Sequence, residues 1–113
     1  MSKRAELVAK YAEDLKTKCK MVPDLVLLEK VTIGCGPAIY NPDAETVAAM
    51  DPEETARIRQ NFLIKKLGLK DDEKLTEALD AVIDIYGRSE RRKYRAVVYY
   101  MLVKHFGRES VYA

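Results

Sequence analysis

The stretch Asp51-Pro52-Glu53-Glu54 opens a helix that the rest of the chain has to cover. Asp is a strong N-cap because its carboxylate accepts from the free N–H groups of the first turn. Pro52 suits the first helical position, where its missing N–H costs nothing. Glu54 stands at capping-box spacing, with Asp51 in the cap role. The pattern runs on to Leu67, where Gly68 and then Leu69 provide a left-handed stop and its hydrophobic closing contact. Inside this helix Phe62, Leu63 and Ile64 are consecutive. Neighbouring residues on a helix point in different directions, so this one needs cover on more than one side. The sequence therefore places it near the centre of the fold.

Other segments carry the same 3.6-residue period. From Ser2, a candidate N-cap, to about Cys19, the stripe is Leu7, Val8, Tyr11, Ala12 and Leu15. Asp24 caps a second helix ending at Gly34. The run Leu25-Val26-Leu27-Leu28 would also suit a buried strand, but nothing in the chain pairs with it, and a lone strand leaves its backbone groups unmet. Residues 34–50 are broken by Gly34, Gly36, Pro37 and Pro42, with Asn41-Pro42 as the start of a short helical turn. Asp71 or Asp72 caps a helix with the stripe Leu75, Ala78, Leu79, Val82, Ile83 and Tyr86, closed by Gly87. The last helix is expected within 86–107. Ser89 is its cap, Tyr94, Val97, Val98, Met101, Leu102 and His105 or Phe106 are its stripe, and Gly107 ends it. The tail Arg108–Ala113 is expected to pack loosely. There is no strand-type alternation and no internal repeat. The expected fold is all-α: one domain over residues 1–113, a bundle of about five helices with one long irregular loop.

The 48% hydrophobic content is enough for one packed core in 113 residues. No apolar run approaches the ~18 residues of a membrane span, so no membrane association is expected. The first fifteen residues carry charges at helical spacing in place of a signal peptide's apolar stretch. A cytoplasmic protein with reduced Cys19 and Cys35 is the expectation. The net charge of +2 does not suggest bulk nucleic-acid binding. Its distribution is more informative, because positive and negative segments alternate. Residues 23–56 hold one basic and seven acidic groups, residues 57–70 five and none, residues 71–87 one and six, and residues 88–113 seven and two. Packed side by side, such segments can neutralise each other.

Residues that suggest chemistry are few. His105 is the only histidine, and no HExxH or CxxC spacing is present, so neither a metal site nor a cofactor is expected. Gly34-Cys35-Gly36-Pro37 lacks the GxxxxGK[ST] pattern of a phosphate loop, and Pro37 removes an N–H such a loop would use. It reads as a helix-ending turn, and Cys35 has no basic neighbour in sequence to lower its pKa. Asp80 and Asp84 lie i, i+4 with Glu77 nearby, and read as a solvated acidic face. Tyr94, Tyr99 and Tyr100 raise the idea of base stacking, but Tyr94 falls on the apolar stripe, and one of the other two is left half exposed. No residue is assigned a catalytic role, and the chain reads as a non-enzyme.

The set Arg88, Ser89, Arg91, Arg92 and Arg95, with Lys93, resists a plain reading. At a helix N-terminus each cation opposes the dipole by ~0.3–1 kcal/mol. The first expectation is that Asp80 or Asp84 on the preceding helix compensates it. The alternatives are a partner protein or second copy, or an anion or nucleic acid held by these residues and the free N–H groups.

Read together, "LLEKVTIGCGPAIYN" at 27–41, "NFLIKKLGL" at 61–69 and "YGRSERRKYRAVVYYMLVKHFG" at 86–107 make the chain resemble the bacterial domain-of-unknown-function family 2853. The resemblance implies a small helical cytoplasmic bacterial protein and no particular activity. The resemblance leaves the function to the residues, and the preferred one is a protein-interaction or self-association module, whose face includes the basic cluster and residues 34–50. Nucleic-acid or phosphate binding by the basic cluster ranks second, and an enzyme using His105 or Cys35 third.

Overall fold

The computed structural model describes residues 2–113, and among these there are six α-helices and no sheet. They are α1 (Lys3–Thr17), α2 (Leu25–Gly34), α3 (Pro42–Glu45), α4 (Pro52–Arg57), α5 (Glu73–Tyr86) and α6 (Arg95–Phe106). The caps follow the sequence closely. Ser2 accepts from the Ala5 N–H, Asp24 from Leu27, Asn41 from Asp43 and Asp72 from Lys74. Gly34 remains helical, and the left-handed turn comes two residues later at Gly36 (φ 68°). The expected long loop is itself largely structured, since a 3₁₀ turn over Gly36–Tyr40 precedes α3.

α4 runs directly into a π-helical stretch, Ile58–Lys66. The Leu67 N–H bonds the Phe62 carbonyl, five residues back, at 2.9 Å. Gly68 (φ 70°) then donates to Ile64 and Leu69 to Leu63, the double closure expected of a glycine stop. The wider winding bears on the three consecutive apolar residues. It brings neighbours closer to one side, and Phe62 and Leu63 are buried while Ile64 is only half-buried.

The central helix is α6, a correction to the sequence expectation. Ala96, Val97, Val98, Tyr100, Met101, Leu102 and Val103 are all buried, which leaves only the face of Arg95, Tyr99 and Phe106 half-buried. α1, α2 and α5 pack along it, and α3 lies at its start. The expected stripe of α6 is therefore too narrow, whereas all six stripe residues of α5 are buried as read. The tail is also more ordered than expected. It forms a 3₁₀ turn, Glu109–Tyr112, and lays the Tyr112 ring against Gly34, where an added Cβ would stand 3.4 Å from the ring.

The last helix starts at Arg95, and Ser89 is not its cap. Residues 88–93 form a turn after Gly87 (φ 106°). Two bonds hold the chain extended there. The Val47 N–H donates to the Lys93 carbonyl at 2.9 Å, as part of an antiparallel bridge between Thr46 and Tyr94. The Tyr94 N–H donates to the Tyr86 hydroxyl at 3.1 Å, and that hydroxyl donates to buried Asp14 at 2.5 Å. A backbone pinned in this way on both sides cannot wind into a helix until Tyr94 is passed.

The π-helical stretch meets α6 through Phe62, whose ring stacks on Tyr99 with centroids 3.9 Å apart. Phe62→Ala should cost about 3–5 kcal/mol, as truncation of a buried aromatic does. Urea unfolding would measure it, and a loss below ~1 kcal/mol would show that this stretch is loosely attached.

Candidate functional site

The five residues singled out in the sequence do not form one cluster. Arg88 turns back onto α5, where its guanidinium bonds Asp84 and lies 3.7 Å from Asp80. This is the compensation the sequence suggested. Ser89, Arg91 and Arg92 are exposed on the 88–93 turn, and among the described residues neither Arg91 nor Arg92 has a carboxylate within 4.0 Å. Lys93, by contrast, is buried and donates to the carbonyls of Glu90 (2.6 Å) and Arg88 (3.3 Å). Burial pulls its pKa down, Arg88 adds to that, and Glu90 opposes it.

Arg95 has a different role. It is the first residue of α6 and points inward. Its guanidinium donates to Glu54 at 2.6 Å, to the Ala44 carbonyl at 2.9 Å and to the Tyr99 hydroxyl at 3.1 Å. Glu54 is buried and also receives Arg57 at 2.8 Å. The capping-box reading of Glu54 is thereby corrected. Asp51 caps α4 through the Glu53 N–H, while the Glu54 carboxylate turns into the protein to meet Arg95. Nothing in the sequence marks this pairing, because the partners are 41 residues apart.

Residues 41–51 and 88–95 consequently run side by side. Besides the Thr46–Tyr94 bridge, Glu45 receives the Lys10 ammonium at 2.8 Å and the Tyr11 hydroxyl at 2.5 Å. Lys10 also lies 4.5 Å over the Tyr94 ring. The Tyr11 hydroxyl is pushed well above its usual range, first by burial and then by Glu45. Between the two strands of chain lies an open groove of about 480 Å³, lined by Val47, Met50, Asp51, Ser89, Glu90 and Arg91. A second of about 330 Å³ continues past Met50 toward Thr76 and Ile83. Met50 divides them and is 75% exposed. The acids of this region are already engaged. Glu90 is bound by Lys18 at 3.2 Å, and its pKa is lowered by the Arg92 N–H and by Lys18. Asp80 faces Arg88, and Asp51 caps α4.

The remaining candidates are dispersed. His105 is exposed, and its ring stands T-shaped to that of its neighbour Phe106 with centroids 5.0 Å apart. No group of three His, Cys, Asp or Glu residues is placed to share a metal ion among the described residues. Cys19 and Cys35 are free thiols, and burial pushes both up to about 11. Arg95 pulls Cys35 the other way but does not outweigh burial. Tyr100 is fully buried, its hydroxyl accepting from the Asp24 N–H at 2.8 Å, and Tyr99 is the half-buried one of the pair.

Fold and site together define a small all-α domain, threaded on one buried helix and carrying a cationic turn at that helix's start. The chain belongs to the family described as "Protein of unknown function (DUF2853)", whose model matches residues 10–110. No curated protein matches it. Among the described residues no helix is long and apolar enough to cross a membrane.

Removing Glu54 should leave Arg95 partly buried without its carboxylate. Glu54→Ala is expected to cost about 1.5–3 kcal/mol, the range for a hydrogen bond to a charged group. A cycle with Arg95→Ala should show that most of this loss is shared, with independent losses contradicting the pairing.

Proposed function

We propose that this protein is an interaction module that binds an acidic segment of a partner polypeptide along the groove beside Met50. The observation that carries this reading is the imbalance of charge there. The acids that line the two grooves, Asp51, Glu90 and Asp80, are occupied within the fold. Arg91 on the groove and Arg92, which lies on the other side of the turn beside Lys10 and Glu45, are exposed with no carboxylate within 4.0 Å among the described residues. Arginine at an exposed rim next to an apolar side chain is a common interface composition. Met is suited to such a role because its flexible thioether adapts to the surface it meets. Asp or Glu in the partner would pair with Arg91 on the groove and, across the turn, with Arg92, and one apolar residue would pack on Met50. The turn that presents them is braced from below by Lys93 and by the Val47–Lys93 bond, so little ordering cost is left for binding. A second copy of this chain would offer Glu73 and Glu77 of α5, the exposed acids of residues 71–87 that have no cation within 4.0 Å among the described residues. No catalytic role enters this reading.

The test uses a synthetic peptide of alternating Asp and Glu around a single Leu, titrated against the full chain at ~150 mM salt. Micromolar binding is expected, weakened about tenfold or more by changing Arg91 and Arg92 together to Ala, with the melting temperature unchanged. A single-stranded oligonucleotide serves as the contrast. If it binds at micromolar concentration, with a steep salt dependence and loss in the same double variant, the nucleic-acid reading replaces this one. No binding of either probe removes the groove as the functional face.

A further inference from the structure

Arg95 also borders a cleft on the side away from the 88–93 turn. It has a volume of about 290 Å³ and is lined by Gly34, Cys35, Asn61, Phe62, Lys66, Arg95, Tyr99 and Tyr112. Ligand sites usually span ~300–1,000 Å³, so this one suits a small molecule. Its polar lining is rich in donors and contains no carboxylate. Arg95 is held by Glu54 behind it, a carboxylate it shares with Arg57, so the Lys66 ammonium is the lining cation with no internal ion pair. Among the described residues Lys66 has no carboxylate within 4.0 Å. Its ammonium stands 5.1 Å from the centre of the Tyr112 ring, which holds it at the rim. The Tyr99 hydroxyl accepts from Arg95 at 3.1 Å, so its own hydrogen is free to donate elsewhere. The rest of the wall is apolar or aromatic: the Phe62–Tyr99 stack, the Tyr112 ring and the Cys35 thiol, which burial keeps neutral.

We propose that this cleft binds a small monocarboxylic acid, its carboxylate held between Lys66 and the hydroxyl groups of Tyr99 and Tyr112, its apolar body against Phe62 and Cys35. The one lining cation without an internal ion pair would meet the one carboxylate of the ligand. Two hydroxyl donors flanking an ammonium suit the two oxygens of a carboxylate. The surrounding aromatic wall favours an apolar body over a sugar or a polyanion. Tyr112 brings the C-terminal turn into the site, so binding should also steady that turn against α2. The π-helical stretch has a part in this too. It places both Phe62 and Lys66 on the cleft, and such stretches occur often at functional sites.

Benzoate is the probe, titrated into the full-length protein and followed by amide chemical shifts at ~150 mM salt. Saturable shifts are expected at Cys35, Asn61, Lys66, Tyr99 and Tyr112. Benzylamine, of the same size and opposite charge, should give none. Lys66→Ala, an exposed change that leaves the core intact, should weaken benzoate about tenfold. Tyr99→Phe should weaken it less. The Arg91/Arg92 double variant should bind benzoate as the parent does, so failure here and failure of the acidic-segment reading are told apart. The proposal is overturned if benzoate gives no saturable shift, if benzylamine binds as well, or if Lys66→Ala has no effect. It is also overturned if phenyl phosphate binds about tenfold more tightly than benzoate, since the head group would then be a phosphate.

Discussion

The arrangement of this protein follows from the burial of α6 around most of its circumference. A helix that is apolar on nearly every side cannot lie on a surface, so other elements have to enclose it. α1, α2 and α5 do so along its length, and α3 with the 41–51 segment closes its start. The polar ends of the enclosing helices are then fastened by bonds that cross the core. Tyr86 joins α5 to Asp14 on α1 and to the backbone at Tyr94, and Tyr100 holds the start of α2. Removing one partner of such a bond strands the other in a dry environment, at a cost of ~1–3 kcal/mol. These bonds therefore select one packing of the helices over its neighbours.

The entry to α6 is where structure and candidate function meet. Because the chain is held extended up to Tyr94, the cations of the 88–93 turn stay off the helix and escape its dipole. Only Arg95 stands at the helix N-terminus, and Glu54 compensates it directly. The two sides of this junction then differ in character. Outward, Arg91 faces solvent on the Met50 groove and Arg92 faces solvent beside Lys10 and Glu45. Inward, the Arg95 guanidinium orients Tyr99 at the edge of an aromatic cleft. One structural joint thus supports both the proposed peptide groove and the proposed carboxylate site.

Local signals were legible in the sequence, and long-range ones were not. Caps at Ser2, Asp24, Asn41, Asp51 and Asp72 are readable because capping is a matter of two or three residues. The glycine stops at Gly68 and Gly107 are equally local. The stripe of α5 reads correctly because one of its faces meets water. That of α6 misleads, since a helix buried nearly all round has no polar face to set the period. The start of α6 was missed for a related reason. Ser89 is a good cap in isolation, but the Val47–Lys93 and Tyr86–Tyr94 bonds come from elsewhere in the chain and override it. The basic cluster was visible as composition, and the expected pairing is found at Arg88. Its division into an outer pair, a buried Lys93 and an inward Arg95 depends on Glu54 and on backbone carbonyls that no spacing rule connects. The π-helical stretch likewise has no clear signature beyond three adjacent apolar residues.

If α6 is the element on which the others depend, it should be the last to open. Amide hydrogen exchange tests this directly, because each amide reports the free energy of the opening that exposes it. The amides of Val98 to Val103 should exchange only through global unfolding, at ~5–15 kcal/mol, and more slowly than those of α1, α4 or the π-helical stretch. Faster exchange in α6 than in α5 or the π-helical stretch would contradict its central place.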